Sequence, residues 1–421
     1  MAYKTLLICM VLCFLITPTV IAQVPTPDPV MIPDPVPLID TDGNDLLNIL
    51  LLGSDTSNPQ NSGRTDVIMV VSINRTHNSI AMLSVPRDLY IYIPGWQMGR
   101  INTAYGYGED VESGGGARLL METLRYHLGL EIDYYARVDF DGFKQIIDSV
   151  GGVEIAVDCG IEDWRLREPD LDPADESNWE MFALPIGVHT MDGNLALWYV
   201  RSRRTSSDFD RGRRQQAMLR GLWRHVRTLG LMNQISEVWP QVVEIVETDI
   251  PLAEILTLIP VAVNLESSQM SSFTFQSGID TVDWRSPEGS SVLLPIYENI
   301  ESLMSSFVTA PTASQIRIDQ PVVRILNASG DSDLAAVAAD RLRWEGFTAF
   351  VDDDPVSSRQ YTTIIDYSGQ RKGGTRGLLQ SVLHVSNESV EVSPDVNRQY
   401  DYEVVIGWSY YPCTYNVMPP G

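Results

Sequence analysis

The run Leu46–Gly53 (LLNILLLG) is apolar at almost every position and ends in glycine. A strand with regular polar alternation can leave one face in water, whereas a strand without it must be covered on both faces. The chain supplies candidates for that cover. Asp66–Ile73 (DVIMVVSI) and Ser79–Val85 (SIAMLSV) read as two further strands, joined by the polar turn Asn74-Arg75-Thr76-His77-Asn78. Behind Gly114–Gly116, Ala117–Leu128 carries Leu119, Leu120, Leu124 and Leu128 on one helical stripe. Tyr134–Phe140 alternates as a strand, Phe143–Val150 is helical and stops at Gly151-Gly152, and Val153–Val157 is again a strand. This order implies an α/β class: a layered α-β-α domain around a central mixed sheet.

With 421 residues the chain exceeds one ordinary core. Residues 1–22 hold a single Lys4 ahead of an apolar run from Thr5 to Ala22, broken by Pro18. Eighteen helical residues span about 27 Å, slightly less than a hydrocarbon core of about 30 Å. The segment reads as a cleaved signal or a retained anchor, and both export the chain. Residues 23–45 form a proline-rich linker, with Pro25, Pro27, Pro29, Pro33, Pro35 and Pro37 favouring an extended spacer. The α-β-α domain is expected over 46–310, with a polar boundary near Thr312–Gln320. A smaller C-terminal α/β domain over 320–410 has a strand at Val322–Leu326 and a helix at Leu334–Trp344 closed by Gly346. Glu162–Met181 is acidic, contains Pro169 and Pro173, and reads as a surface insertion. Of the four cysteines, Cys9 and Cys13 lie in the export segment. Cys159 and Cys413 are far apart, which favours two unpaired thiols over a disulfide.

Thirty Lys plus Arg against 55 Asp plus Glu give a formal charge of -25. Such a surface repels the phosphates of nucleic acid, so no nucleic-acid partner is expected. Positive charge is concentrated instead. Nine arginines and no lysine fall between Arg201 and Arg227. Arginine grips phosphate through a planar fork, which favours this residue type over lysine at an anion site. The cluster follows Leu195–Val200, read as an apolar strand, and α/β folds place their sites at strand ends. Asp55 follows one strand and Asp66 begins the next, so the two carboxylates can converge on Mg2+, which takes one or two carboxylates plus substrate phosphates. From local sequence alone, Asp55 reads more readily as a turn cap. Arg87, in Val85-Pro86-Arg87-Asp88, closes another strand. Together these residues describe a diphosphate–Mg2+ site.

In order along the chain stand LLLGSD, GRTD, SVPRD, RINTAYGYG, DYYARVDFDGF, DSVGGV and YVRSRR…DFDRGRRQQ. These motifs resemble the LytR–CpsA–Psr family, and Pro321–Trp408 resembles the LytR C-terminal domain. The resemblance implies a phosphotransferase outside the membrane. Such an enzyme moves a glycopolymer from a polyprenyl diphosphate carrier onto peptidoglycan through a phosphodiester. By motif, Asp55 and Asp66 are like the metal ligands. Arg64, Arg87, Arg201, Arg203 and Arg214 are like the diphosphate clamp, joined by Asp208, Arg211 and Gln215 of D-x-x-R-x-x-R-Q. Arg64, Arg87 and Asp208 are the catalytic candidates, and the proton acceptor is Asp66 or Asp208. The family's lipid tail lies between sheet and helices. Leu119, Leu120, Leu124, Phe143, Ile146 and Ile147 are candidates for that pocket, though each reads more readily as plain core. The chain departs from the pattern at Thr56-Ser57 and at Arg204. A hydrolase on the same site, a non-catalytic wall-binding protein and a transcriptional attenuator are the alternatives.

Overall fold

The computed structural model describes residues 32–55, 63–311, 316, 319–370 and 374–413. The export segment 1–22, with Cys9 and Cys13, and residues 23–31 of the proline-rich linker lie outside the described residues. Among the described residues no helix is long and apolar enough to cross a membrane.

The apolar run forms β1 (Leu46–Ser54), which sits inside a six-stranded sheet. On one side β1 pairs antiparallel with β2 (Thr65–Asn74), which pairs antiparallel with β3 (Ser79–Ser84). Two short strands, β4 (Tyr90–Tyr92) and β5 (Met98–Arg100), make a separate ribbon. On its other side β1 runs parallel to β6 (Tyr134–Asp139). A second ribbon joins β7 (Val153–Val157) to β10 (Gly187–Met191), and between them the acidic segment folds into a hairpin of β8 (Ile161–Leu166) and β9 (Trp179–Leu184). Two edge strands complete the main sheet: β11 (Val246–Thr248) on β6 and β12 (Met270–Thr274) on β3. The order is β11-β6-β1-β2-β3-β12, with parallel and antiparallel neighbours mixed. A last ribbon, β13 (Thr281–Arg285) with β14 (Ser291–Pro295), follows.

Alternation along β1 sends Leu50 and Leu52 to one face and Leu47 and Ile49 to the other. The first face packs on α1 (Ala104–Val111) and α2 (Gly115–Leu128). The connection into β7 is α3 (Phe140–Ser149), capped by Asp139, which accepts from the Gly142 amide. Leu195–Val200 is not a strand but the body of α4 (Gly193–Arg201). Asp192 accepts from the Leu195 amide and starts the helix, and the unbroken apolar run hid the period. The long helix α5 (Asp208–Thr228) begins at a capping box between Ser207 and Asp210. After α6 (Ile235–Ile245), α7 (Leu252–Asn264) joins α5 over the second face, where Leu219, Ile255 and Leu258 meet Ile49, Met69 and Val71. Finally α8 (Tyr297–Val308) returns to the first face, burying Ile300, Met304 and Phe307. Helices thus cover both faces of a mixed sheet.

The C-terminal residues build their own core. Strands β15 (Val322–Asn327), β16 (Thr348–Asp352), β17 (Thr363–Asp366), β18 (Val390–Val392) and β19 (Tyr402–Ile406) form a sheet in the order β16-β15-β19-β17-β18. It packs on α9 (Ser332–Trp344) and α10 (Thr375–Leu383). Gly346 ends α9 with φ +95°, a left-handed conformation that glycine adopts freely. Cys159 and Cys413 are not free thiols. They are joined by a disulfide across 254 residues, which ties the segment after β7 to the segment after β19.

Candidate active site

The site starts from an irregularity in the sheet. The β1–β2 register steps from Gly53↔Val67 to Ser54↔Thr65, which leaves Asp66 as an extra, unpaired residue. Such a bulge re-aims a side chain, and here Asp66 and Val67 both face one cavity. Gly53 permits the close pairing, since a Cβ there would stand 2.9 Å from Val67 Cγ2. Asp55, one residue past β1, lies at the same end of the sheet.

Four guanidinium groups gather around these carboxylates. Arg87, after β3, donates to Asp66 Oδ1 at 2.5 Å and lies 3.5 Å from Asp88. Burial opposes its charge, but Asp88, Asp66 and Asp208 outweigh burial and hold its pKa above the ordinary arginine value. Arg201 ends α4, stands 4.0 Å over the Phe140 ring and is 3.9 Å from Asp55. Arg203 is 3.8 Å from Asp208, which also holds Arg211 at 3.2 Å. Burial lowers Arg201 despite Asp55 and Asp66. Burial also brings Arg211 down to about 10, against the pull of Asp208 and aided by the nearby charges of Arg87 and Arg203. These cations are therefore under-compensated, and an anion would relieve them. The separate chain positions 66, 87, 201, 203, 208 and 211 meet in one electrostatic network.

The cationic mouth opens into an apolar cavity of about 340 Å³ between the second sheet face, α3 and α5. Asp66, Arg87, Arg201, Arg203, Arg211 and Gln215 line its polar end, while Leu51, Met69, Val138, Phe143 and Ile146 are among its apolar walls. Arg211, Gln215, Met218 and Leu222 follow one stripe of α5, so one helix builds both the charged and the greasy part. Gln215 Nε2 also donates to the Val200 carbonyl at 3.2 Å, fixing α5 to α4.

Several expected site residues lie elsewhere. Arg214 is buried and points away from the cavity. It donates to the carbonyls of Tyr199 and Ser202 and, at 2.9 Å, to Ser206 Oγ, so it caps the end of α4 and does not line this cavity. Arg64 is exposed just before β2 and does not line the cavity. Leu119, Leu120 and Leu124 pack on the opposite sheet face, because α2 covers the side of Leu50 and Leu52. Ile147 is fully buried between α3, α4 and β7. Arg204 turns outward to Glu162. Conversely, the reading from sequence missed Leu51, Val67, Met69, Ala136 and Val138, which alternate on β1, β2 and β6 toward the cavity.

Asp55 and Asp66 offer hard oxygen donors. Among the described residues no three candidate ligands cluster. Two carboxylates are the donor type that Mg2+ takes, since it usually keeps waters and uses few protein ligands, although here Asp66 already accepts from Arg87.

The LytR_cpsA_psr family profile matches residues 27–299. The chain belongs to the LytR_cpsA_psr family. A second profile, LytR cell envelope-related transcriptional attenuator, matches residues 320–410. Over 217 residues this family member is 32% identical to the polyisoprenyl-teichoic acid–peptidoglycan teichoic acid transferase TagU of Oceanobacillus iheyensis, covering 51% of the chain and 62% of that protein. Over 187 residues it is 35% identical to the probable cell wall biosynthesis protein LcpB of Corynebacterium glutamicum, covering 44% of the chain and 40% of that protein. The chain thus spans less than two thirds of either relative's length. The crystal structure of B. subtilis TagV superposes with a TM-score of 0.51 and 26% identity, covering 62% of this chain and 96% of that one.

Proposed function

We propose that this LytR_cpsA_psr protein is an extracytoplasmic phosphotransferase that moves a glycopolymer from a polyprenyl diphosphate carrier onto peptidoglycan. The observation that carries the reading is the junction of two chemistries in one cavity. The buried, under-compensated Arg211 and the half-exposed Arg201 and Arg203 stand at a mouth that continues into an apolar channel of about 340 Å³. A ligand that satisfies both ends is amphipathic, with a polyanionic head and a hydrocarbon tail. Residues 1–22 would carry the chain across the membrane as a signal or an anchor. The name of the Oceanobacillus relative supports the same substrate class.

In this reading Arg87, Arg201, Arg203 and Arg211 hold the diphosphate oxygens. A peptidoglycan hydroxyl attacks the phosphorus next to the glycan, and the new P–O bond replaces the bond to the bridging oxygen. Polyprenyl phosphate leaves and Asp208, between Arg203 and Arg211, accepts the hydroxyl proton. Charge building on the departing phosphate is met by the guanidinium groups. Mg2+ held by Asp55 and Asp66 would supply further neutralisation of the diphosphate.

Each arginine–phosphate contact contributes about 1.5–3 kcal/mol. Arg87→Ala and Asp66→Ala should therefore lower transfer at least tenfold to a hundredfold while the thermal unfolding midpoint stays close to that of the parent. Full transfer of labelled donor onto peptidoglycan by either folded variant refutes the assignment.

A further inference from the structure

The hairpin β8–β9 carries an apolar face beside the arginine mouth. Its register sets Trp164 opposite Met181 and Leu166 opposite Trp179, so strand alternation brings these four to one side. Trp164 is 52% exposed and Met181 37%. The Trp179 indole is steadied by a bond of 3.0 Å to the Pro173 carbonyl. The other side of the hairpin is already engaged. There Phe182 meets the Trp198 ring edge-on at 5.0 Å, and Asp163 accepts the amides of Arg203 and Arg204 at 2.7 and 3.2 Å. One residue links this face to the chain segment of the mouth: Arg204 bonds Glu162 and reaches Met181 Sδ at 3.5 Å, and its neighbour Arg203 lines the cavity.

We infer that this face is the platform on which the acceptor glycan strand lies, an inference that rests on the phosphotransferase reading above. A sugar ring offers a C–H face that stacks on an indole and hydroxyls that pair with carboxylates and arginine. A flat, half-exposed tryptophan beside Glu162 and Arg204 matches both. Charge narrows the partner further. Residues 162–184 contain eight carboxylates (Glu162, Asp163, Glu168, Asp170, Asp172, Asp175, Glu176, Glu180) against two arginines (Arg165, Arg167). That surface repels a polyphosphate chain or an anionic leaflet and leaves an uncharged saccharide as the matching occupant. The position suits an acceptor, since a hydroxyl resting here enters the site from the side of Arg203, at the polar end of the cavity.

The test is calorimetric titration of the full chain with a soluble β-1,4-linked N-acetylhexosamine oligosaccharide, in parallel with octaprenyl diphosphate. Trp164→Ala, at an exposed position, should fold with an unchanged unfolding midpoint. It should weaken saccharide binding at least tenfold and leave lipid diphosphate binding unaltered. In the transfer reaction it should raise the KM for acceptor while kcat at saturation and the KM for donor hold. Equal saccharide affinity in parent and variant, or no saccharide binding by the parent, overturns the platform. So does a Trp164-dependent affinity for phosphatidylglycerol vesicles in place of saccharide, which would assign the face to membrane. If saccharide binding depends on Trp164 but no transfer occurs, the platform stands and the phosphotransfer reading falls.

Discussion

Arg211 and Arg214 stand three positions apart on α5, and the helix sends them to different tasks. Arg211 enters the cavity, where burial costs it part of its charge preference. Arg214 spends its donors on carbonyls at the end of α4. Arg211→Ala should cut transfer about tenfold to a hundredfold yet leave the unfolding midpoint unchanged or higher, because an under-compensated cation is removed. Arg214→Ala should instead cost about 2–3 kcal/mol of stability, since it strands buried carbonyls. Calorimetry on both variants separates the two roles. The motif D-x-x-R-x-x-R-Q could not, because an arginine that caps a helix and one that awaits an anion look alike in a string of letters. His127 gives a second residue-scale outcome. It is buried between Tyr297 Oη and the Tyr92 carbonyl, both at 2.6 Å, and burial lowers it to about 4. The folded state thus keeps it neutral where the unfolded chain binds a proton. Its contribution is complete above pH 6.5 and is lost as pH falls toward 4, about 3 kcal/mol in all. Unfolding midpoints measured from pH 7 to pH 4 should flatten over that window in His127→Gln.

At the scale of elements, α5 is the member that sets the site. One stripe of it, Arg211, Gln215, Met218 and Leu222, faces the cavity. A second, Arg213, Arg220 and Arg224, faces α9, where Arg224 pairs with Asp340 and both Arg220 and Arg224 stand over the Trp344 ring. Near its start α5 approaches β3 so closely that a Cβ on Gly212 would lie 3.0 Å from Ser84 Cβ. Gly212→Val should push this end outward, cost about 1–3 kcal/mol and weaken octaprenyl diphosphate binding at least tenfold by displacing Arg211 and Gln215. Thermal unfolding together with lipid titration checks both. The main elements were largely readable, since β1 and β2 are short apolar runs bounded by turn residues while β6 and α3 follow apolar periods. The hairpin β8–β9, the ribbon β4–β5 and α1 were not read, and α4 was read as a strand, because Leu195–Val200 is apolar at every position and so carries no period. The missed cue was Asp192-Gly193 at its start. Nor could hydrophobic pattern alone tell the stripe of α2, which fills a core, from Phe143 and Ile146, which border a void. Both need only be apolar.

For the molecule as a whole, the α9 interface and the Cys159–Cys413 bond fasten the C-terminal sheet to the layer that holds α5. The sequence hid this, because a spacing of 254 residues says nothing about proximity. Cys159→Ser should lower stability by about 2–5 kcal/mol through the larger unfolded ensemble, and reductant should shift the parent's calorimetric transition toward that of the variant. The bond also sets an order of events in biogenesis. Its second sulfur is made long after every strand of the main sheet, so the cross-link closes only when translation has passed both cores and the chain has reached an oxidising environment. Protein harvested from a reducing bacterial cytosol would carry two thiols instead. Assays on such preparations would describe an immature form, and periplasmic or secreted production is the appropriate source of the protein.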